Sequence, residues 1–271
     1  MERITSRNNA KIKLARALQG RKERQASGLF LVEGIRHVGE AVEASRSTRN
    51  APPLHSLYYS PELITSEFAR SLVAGEAERG LPCYEVSAEV FESIAGKENP
   101  QGLLAVAQIP NLHLNQLEPG AYPWVVAVVA PQDPGNVGAI LRSIDAVGAS
   151  GLVLLEGGVD AYHPGAVRAS MGALFWQPPV QASFPEFAFW VQRNAYKVYG
   201  TSAHGAVDYR QVERYSAPLV LLLGSEREGL SPEQREICHQ LLSLPMKGRA
   251  SSLNLAVAAG VLLYSMLERM A

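Results

Sequence analysis

Three loops in this chain set polar side chains directly after apolar strands, where open α/β sheets present groups to ligands. The first, Pro131-Gln132-Asp133-Pro134-Gly135-Asn136-Val137-Gly138-Ala139-Ile140-Leu141-Arg142, opens a helix with Ile140, Ile144 and Val147 on its apolar face and Arg142 on a different one. Its glycines permit close backbone approach, and free N–H groups at a helix start attract anions. The spacing fits neither GxGxxG nor GxxxxGK[ST], so neither dinucleotide nor P-loop binding is supported. The second loop is Leu223-Gly224-Ser225-Glu226-Arg227-Glu228-Gly229-Leu230-Ser231. Ser231-Pro232-Glu233-Gln234 then reads as a capping box with proline at the first helical position. The third, Leu244-Pro245-Met246-Lys247-Gly248-Arg249-Ala250-Ser251-Ser252-Leu253-Asn254, leads into an apolar helix over 255–267, with Ser252 at the expected N-cap and Asn254 in the first turn. Singly, the three loops read equally as a glycine-rich turn, a solvated loop and a helix cap. Capping explains one serine, but not why Lys, Gly, Arg and Ser crowd against so apolar a helix.

The elements that must position these loops follow from hydrophobic pattern. Apolar runs at 124–130, 151–156, 196–200 and 218–224 alternate with helical stretches, which predicts a mainly parallel sheet covered on both faces. Ahead of it, residues 1–109 read as a smaller α/β unit. Strands are predicted at 29–32, 57–59, 83–86 and 102–109, and helices at 67–79, at 88–94 and after Gly34, the last with Val38, Ala41 and Val42 on one face. A first helix is expected from an N-cap at Ser6 to Gly20, burying Ile12, Ala15 and Leu18. Residues 110–123 carry three prolines and a glycine without periodicity, which predicts a linker.

Composition narrows the function classes. The chain has 271 residues, 47% apolar and 19% charged, which excludes disorder, collagen and coiled coil. No apolar run approaches the ~18 residues of a membrane span. The first residues, MERITSRNNAKIK, lack the apolar stretch of a secretory signal, so a cytoplasmic protein without membrane attachment is expected. Two distant cysteines without CxxC, and six histidines without HExxH, argue against a disulfide framework and a protein-held metal. The net charge of −1 conceals a division. The first 24 residues hold eight cations, among them Arg7, Lys11 and Lys13, against two glutamates, a net +6 that leaves −7 on the rest. Such an arm suits phosphate attraction, or is simply the solvated face of a helix.

In order and spacing, DPGNVGAILR, LGSEREGLS and LPMKGRASSLNLAVAAGVLLY resemble the three signature motifs of the SpoU (TrmH-like) RNA ribose 2′-O-methyltransferases. The stretch VDAYHPGAVRASMGA is also similar, so the resemblance covers 124–271. Residues 1–109, through FLVEGIRHVGEAVEA and NPQGLLAV, resemble the substrate-binding domain often fused ahead, which is similar to a ribosomal-protein RNA-binding fold. The resemblance implies a C-terminal parallel-sheet α/β domain at 124–271 with a deep trefoil knot, a smaller N-terminal α/β RNA-binding domain at 1–109, and a linker at 110–123. It further implies S-adenosyl-L-methionine as methyl donor, no metal, RNA as partner, and a homodimer in which the first motif meets the partner's pocket. The dedicated front domain favours ribosomal over transfer RNA.

Carried over by position, Gly224, Leu244 and Leu253 are expected to bind the methyl donor largely through backbone groups, with the loop around Met246 and Gly248 closing the pocket. The family's catalytic cluster maps to Asn136, Arg142, Glu226, Ser252 and Asn254, while Asp133 stands where many relatives have Asn. A ribose hydroxyl is a weak nucleophile and a sulfonium methyl is already activated, so the chemistry needs positioning and relief of one proton. Because an arginine stays protonated, Arg142 is expected to clamp the adjacent phosphate and stabilise the developing alkoxide rather than act as a base. Asn136 is expected to hold Arg142 or the RNA backbone, and Ser252 and Asn254 to orient ribose and methyl donor. Arg168 and Arg36 are candidate RNA contacts, with surface roles as their plainer readings and a dimer-bridging role also open to Arg168. The alternative function is a non-catalytic RNA-binding or ribosome-assembly factor of the same fold, and a base-methylating relative is the third reading.

Overall fold

The computed structural model describes residues 2–96, 98–202 and 206–270. The chain divides into two compact units, one of Met1–Pro110 with Tyr162–Trp176, the other of Asn111–Ala161 with Gln177–Ala271.

In the first unit, β1 (Glu2–Ile4), β2 (Leu29–Glu33), β3 (Leu54–Tyr59), β4 (Cys83–Val86) and β5 (Leu103–Gln108) form a five-stranded sheet in the order β1-β4-β3-β5-β2. β5 is antiparallel to both neighbours, and the β1–β4 and β3–β4 pairs are parallel. Helices α1 (Ala10–Ala17), α2 (Arg21–Ser27), α3 (Ile35–Ser47), α4 (Glu67–Glu78) and α5 (Ala88–Glu92) complete it. The expected first helix is α1, and its N-cap is Asn9, which accepts from Lys11 N at 2.8 Å, not Ser6. The helix ends at Ala17, three residues before the expected Gly20, which is itself the N-cap of α2. Ile12, Ala15 and Leu18 are buried as expected, against Ile4, Phe91 and Val106.

The second unit holds a seven-stranded sheet, parallel throughout: β6 (Trp124–Val129), β7 (Gly151–Leu155), β8 (Val180–Ala182), β9 (Lys197–Thr201), β10 (Val207–Asp208), β11 (Leu219–Leu223) and β12 (Gln240–Ser243), ordered β10-β12-β9-β11-β6-β7-β8. Every residue of β6, β7 and β11 is buried, the pattern of strands covered on both faces. Its helices are α6 (Pro134–Val147), α9 (Phe184–Arg193), α10 (Pro232–Glu236) and α11 (Leu255–Arg269), with α6 packed against α11. The stretch 110–123 contributes Leu114 and Leu117 to this core, and the indole Nε1 of buried Trp190 donates to Leu117 O at 3.0 Å.

The remaining helices, α7 (Pro164–Ala169) and α8 (Ala173–Trp176), lie between β7 and β8 in sequence but belong to the first unit. Phe30 of β2 packs on Tyr162 with ring centroids 4.7 Å apart and stacks on Phe175 at 6.5 Å. Trp176 Nε1 donates to Glu40 of α3 at 3.1 Å.

Candidate active site

Three loops leave the C-terminal ends of parallel strands in the second unit and meet at one place. The first follows β6. Asp133 caps α6, accepting from Gly135 N at 2.5 Å, and Pro134 occupies the first helical position, where a missing N–H is no loss. Burial of Val137, Ile140, Leu141 and Ile144 fixes the rotation of α6 and thereby the directions of Asn136 and Arg142.

The second loop follows β11 and folds back on itself. Ser225 and Gly229 exchange N–H···O bonds of 3.0 Å each, and Gly229 adopts φ +70°, a left-handed conformation suited to glycine. Gly224 is required by space: a Cβ there would stand 2.7 Å from Leu230 N and closer still to the Gly229 carbonyl carbon. Thr201, ending β9, accepts from Gly224 N at 3.2 Å and so fixes the base of the turn. The third loop, 244–253, is different in kind. Among the described residues it makes no hydrogen bond, and its backbone donors and acceptors stand open beside the cavity.

Side chains from all three loops are linked. Asn254 is the N-cap of α11, its Oδ1 accepting from Ala256 N at 2.9 Å and Val257 N at 3.3 Å. This replaces the expected cap at Ser252 and moves Asn254 out of the first turn. With its oxygen used in the cap, Asn254 Nδ2 donates to Asn136 Oδ1 at 2.9 Å. Asn136 Nδ2 in turn donates to Glu226 Oε1, and Gln132 N donates to Glu226 Oε2 at 3.2 Å. Only one orientation of each amide satisfies this chain, which ends on the Glu226 carboxyl oxygens as acceptors.

Beside the network lies a cavity of about 1280 Å³. Gly224, Leu244, Met246 and Leu253 line it, as do Glu226, Ser252 and Asn254. A third wall comes from Thr201, Asp208 and Gln211, which the motifs did not mark. The available signal was positional, since Thr201 ends a parallel strand on the side where ligands bind. Arg210 hydrogen-bonds the Asp208 carboxylate and holds its pKa down at about 2, with a smaller contribution from Lys247 of the unbonded loop.

Residues 123–264 match the model of the SpoU rRNA Methylase family, more than half of the chain. The chain belongs to the SpoU rRNA methylase family. Residues 9–105 match an MRM3-like substrate binding domain. The chain is 36% identical over 270 residues to the 23S rRNA (uridine(2479)-2′-O)-methyltransferase of Streptomyces viridochromogenes, covering 97% of this chain and 90% of the relative. It is 30% identical to the 23S rRNA (guanosine(2553)-2′-O)-methyltransferase RlmP of Bacillus subtilis, over 97% and 98% of the two. Among solved structures, an AdoMet-bound rRNA methyltransferase from Sinorhizobium meliloti superposes with a TM-score of 0.87 at 33% identity, over 98% of this chain and 97% of the other.

In this SpoU chain the structure joins Asn136, Glu226 and Asn254 directly and places Ser252 at the same cavity. It does not bring Arg142 to them. Arg142 is exposed, does not line the cavity, and has no hydrogen bond or ion pair among the described residues, so Asn136 does not hold it. Six residues separate the two, which sets them about 120° apart around α6. Gly248 is also exposed and outside the lining, although Met246 beside it is within. Among the described residues no group of three His, Cys, Asp or Glu side chains could hold a metal, and no helix is long and apolar enough to cross a membrane.

Proposed function

We propose that this chain methylates a ribose 2′-hydroxyl in ribosomal RNA, with S-adenosyl-L-methionine as methyl donor. The observation that carries the reading is the hydrogen-bonded line from Asn254 through Asn136 to Glu226, on the rim of a cavity lined by Gly224, Leu244 and Leu253. Family membership and relatives named as 23S rRNA 2′-O-methyltransferases support the same chemistry and substrate. The cavity fits the donor: it offers apolar surface at Leu244, Met246 and Leu253 together with the open backbone groups of 244–253. S-adenosyl-L-methionine supplies a methyl group already activated by its sulfonium charge, so the reaction as we propose it uses no metal.

The chain's own residues then have distinct tasks. Gly224, Leu244 and Leu253 hold the donor by backbone groups, and the loop at Met246 and Gly248 closes over it. Glu226, fixed by Asn136 and Gln132, and Ser252 with Asn254 orient the reacting groups. Arg142 clamps the phosphate next to the target ribose and stabilises the developing alkoxide, while a phosphate oxygen takes the proton.

The active form is a homodimer. The α11 face exposes Val257, Val261, Tyr264 and Leu267, a contiguous apolar stripe of the kind that marks an association surface. It adjoins α6, where Gly260 lies against Ser143, the neighbour of Arg142. A second copy on this face brings Arg142 to the partner's cavity, which accounts for its lack of partners in its own chain. We further propose that the segments carrying the second and third motifs form a deep trefoil knot, that 124–271 is the methyltransferase domain and 1–109 the RNA-binding domain joined by 110–123, and that the enzyme works in the cytoplasm.

The test is transfer of labelled methyl from S-adenosyl-L-methionine to ribosomal and transfer RNA from a strain lacking this protein, with Arg142→Ala as control and the product mapped. Ribose label in ribosomal RNA, lost in the variant, is expected. Label on a base, or tight RNA binding without label on any RNA, overturns the proposal.

A further inference from the structure

The basic arm is largely engaged within its own unit. Arg3 pairs with Glu85 at 3.3 Å, Arg7 with Glu89 at 3.0 Å and Lys11 with Glu2 at 2.8 Å. Arg16 donates to Ser93 O at 3.1 Å, and Arg24 is buried, its Nη1 donating to Leu18 O and Gln19 O. Eight cations in the sequence therefore present far fewer open charges on the surface.

Open cations stand at a different place. Three segments of this unit converge on the exposed Gly96: the turn at Gln19 between α1 and α2, the end of β2 at Glu33, and Arg168 of α7. Gln19 Nε2 donates to Ile94 O at 3.2 Å, and Gly96 N donates to Glu33 Oε2 at 2.9 Å. A Cβ on Gly96 would lie 3.2 Å from Glu33 Oε2, 3.5 Å from Gln19 Nε2 and 3.6 Å from Arg168 Nη1, so all three side chains reach the Gly96 backbone. Arg21 follows the Gln19 turn and Arg36 follows Glu33 by three residues. The guanidinium groups of Arg21, Arg36 and Arg168 have no hydrogen bond or ion pair among the described residues, although the Arg168 carbonyl oxygen is bonded to His37 Nε2 at 3.3 Å. Glu33 is buried, and its second oxygen, Oε1, has no donor. Buried polar atoms without partners are rare in folded proteins and call for an explanation. The Glu33 carboxylate and the Arg168 guanidinium both lie at Gly96 without pairing with each other, which leaves the guanidinium for a ligand.

We propose that this end of the first unit, rather than the α1 face, holds phosphates of the RNA backbone, through Arg168, Arg36 and Arg21 around Gly96. The inference rests on the RNA-directed reading above and deepens it, because it moves the grip away from Arg7 and Lys11. Forked guanidiniums, one beside Gly96 and two that follow Gln19 and Glu33 within three residues, suit a chain of phosphates better than a single base, since phosphate is the group that planar bidentate donors match.

The test uses the full chain and an unmodified 23S rRNA transcript, with binding measured from about 50 to about 200 mM salt. Replacing Arg21, Arg36 and Arg168 together by Gln is expected to weaken binding at least tenfold at the higher salt. The same change should lower the slope of log affinity against log salt by about 2, at roughly 0.7 per lost single-strand phosphate contact. Arg7→Gln with Lys11→Gln should leave the slope unchanged. Thermal unfolding of the full chain reports whether each variant is folded, and single variants, each lowering the slope by about 0.7, keep the test readable if the triple does not fold. A reduced slope in the Arg7/Lys11 pair with none in the arginine singles overturns the inference. Methyl transfer by the unaltered chain is scored separately: the expected binding pattern without transfer would remove the methyltransferase reading and leave this one standing.

Discussion

The two loops that flank the cavity are built by opposite rules. Residues 224–229 are fixed from within: Ser225 and Gly229 bond each other twice, Glu228 N donates to Ser225 Oγ at 3.1 Å, and Thr201 holds Gly224 from the neighbouring strand. Residues 244–253 have no hydrogen bond at all among the described residues. The difference teaches how a site divides its labour. One wall is pre-organised, so that Glu226 presents its carboxylate at a set place before any ligand arrives. The other keeps its donors and acceptors free beside the cavity.

Glycine substitutions break this comparison most directly. Gly224→Ala forces a methyl into the backbone of Gly229 and Leu230, and is expected to destabilise the fold by about 3 kcal/mol or more and abolish donor binding. Thermal unfolding and titration calorimetry with S-adenosyl-L-methionine check both. Next in size is Asn136→Ala, which removes the link between Asn254 and Glu226. Turnover at saturating RNA should fall roughly 10- to 100-fold, the worth of a charge-assisted hydrogen bond, while the melting temperature moves little because both partners remain exposed. A variant with full turnover would show that Glu226 needs no fixing. Smallest is Gly248→Ala, where nothing lies within 4 Å of the added methyl. Stability should stay within about 0.5 kcal/mol by denaturant titration. A loss near that of Gly224→Ala would mean that the 244–253 loop is as constrained as its neighbour.

The sequence carried the strands β6, β7, β9 and β11 because each is a continuous apolar run. It hid β8, β10 and β12, short strands such as Gln-Leu-Leu-Ser with no pattern of their own, which pair only because neighbouring strands offer free edges. The site was legible to the extent that its residues sit in ordered motifs: Gly224, Leu244, Met246, Leu253, Glu226, Ser252 and Asn254 all reach one cavity. The cap of α11 is Asn254 and not Ser252, a choice hidden from the sequence because both are good caps and only the path of the loop decides between them. Nor could charge counting show which arginines are already paired. That depends on Glu85 and Glu89, some eighty residues downstream of Arg3 and Arg7.

The contribution of Tyr162–Trp176 to the first unit limits how this protein can be taken apart or recombined. A cut anywhere in 110–123 severs the chain once but leaves Tyr162 and Phe175 of the downstream piece without Phe30, their ring partner upstream. A front unit transplanted from a relative therefore has to bring its own version of these fifteen residues with it. Sequence drift in Tyr162–Trp176 is therefore coupled to drift in the residues before 110 that pack with it, although the two stretches are far apart along the chain.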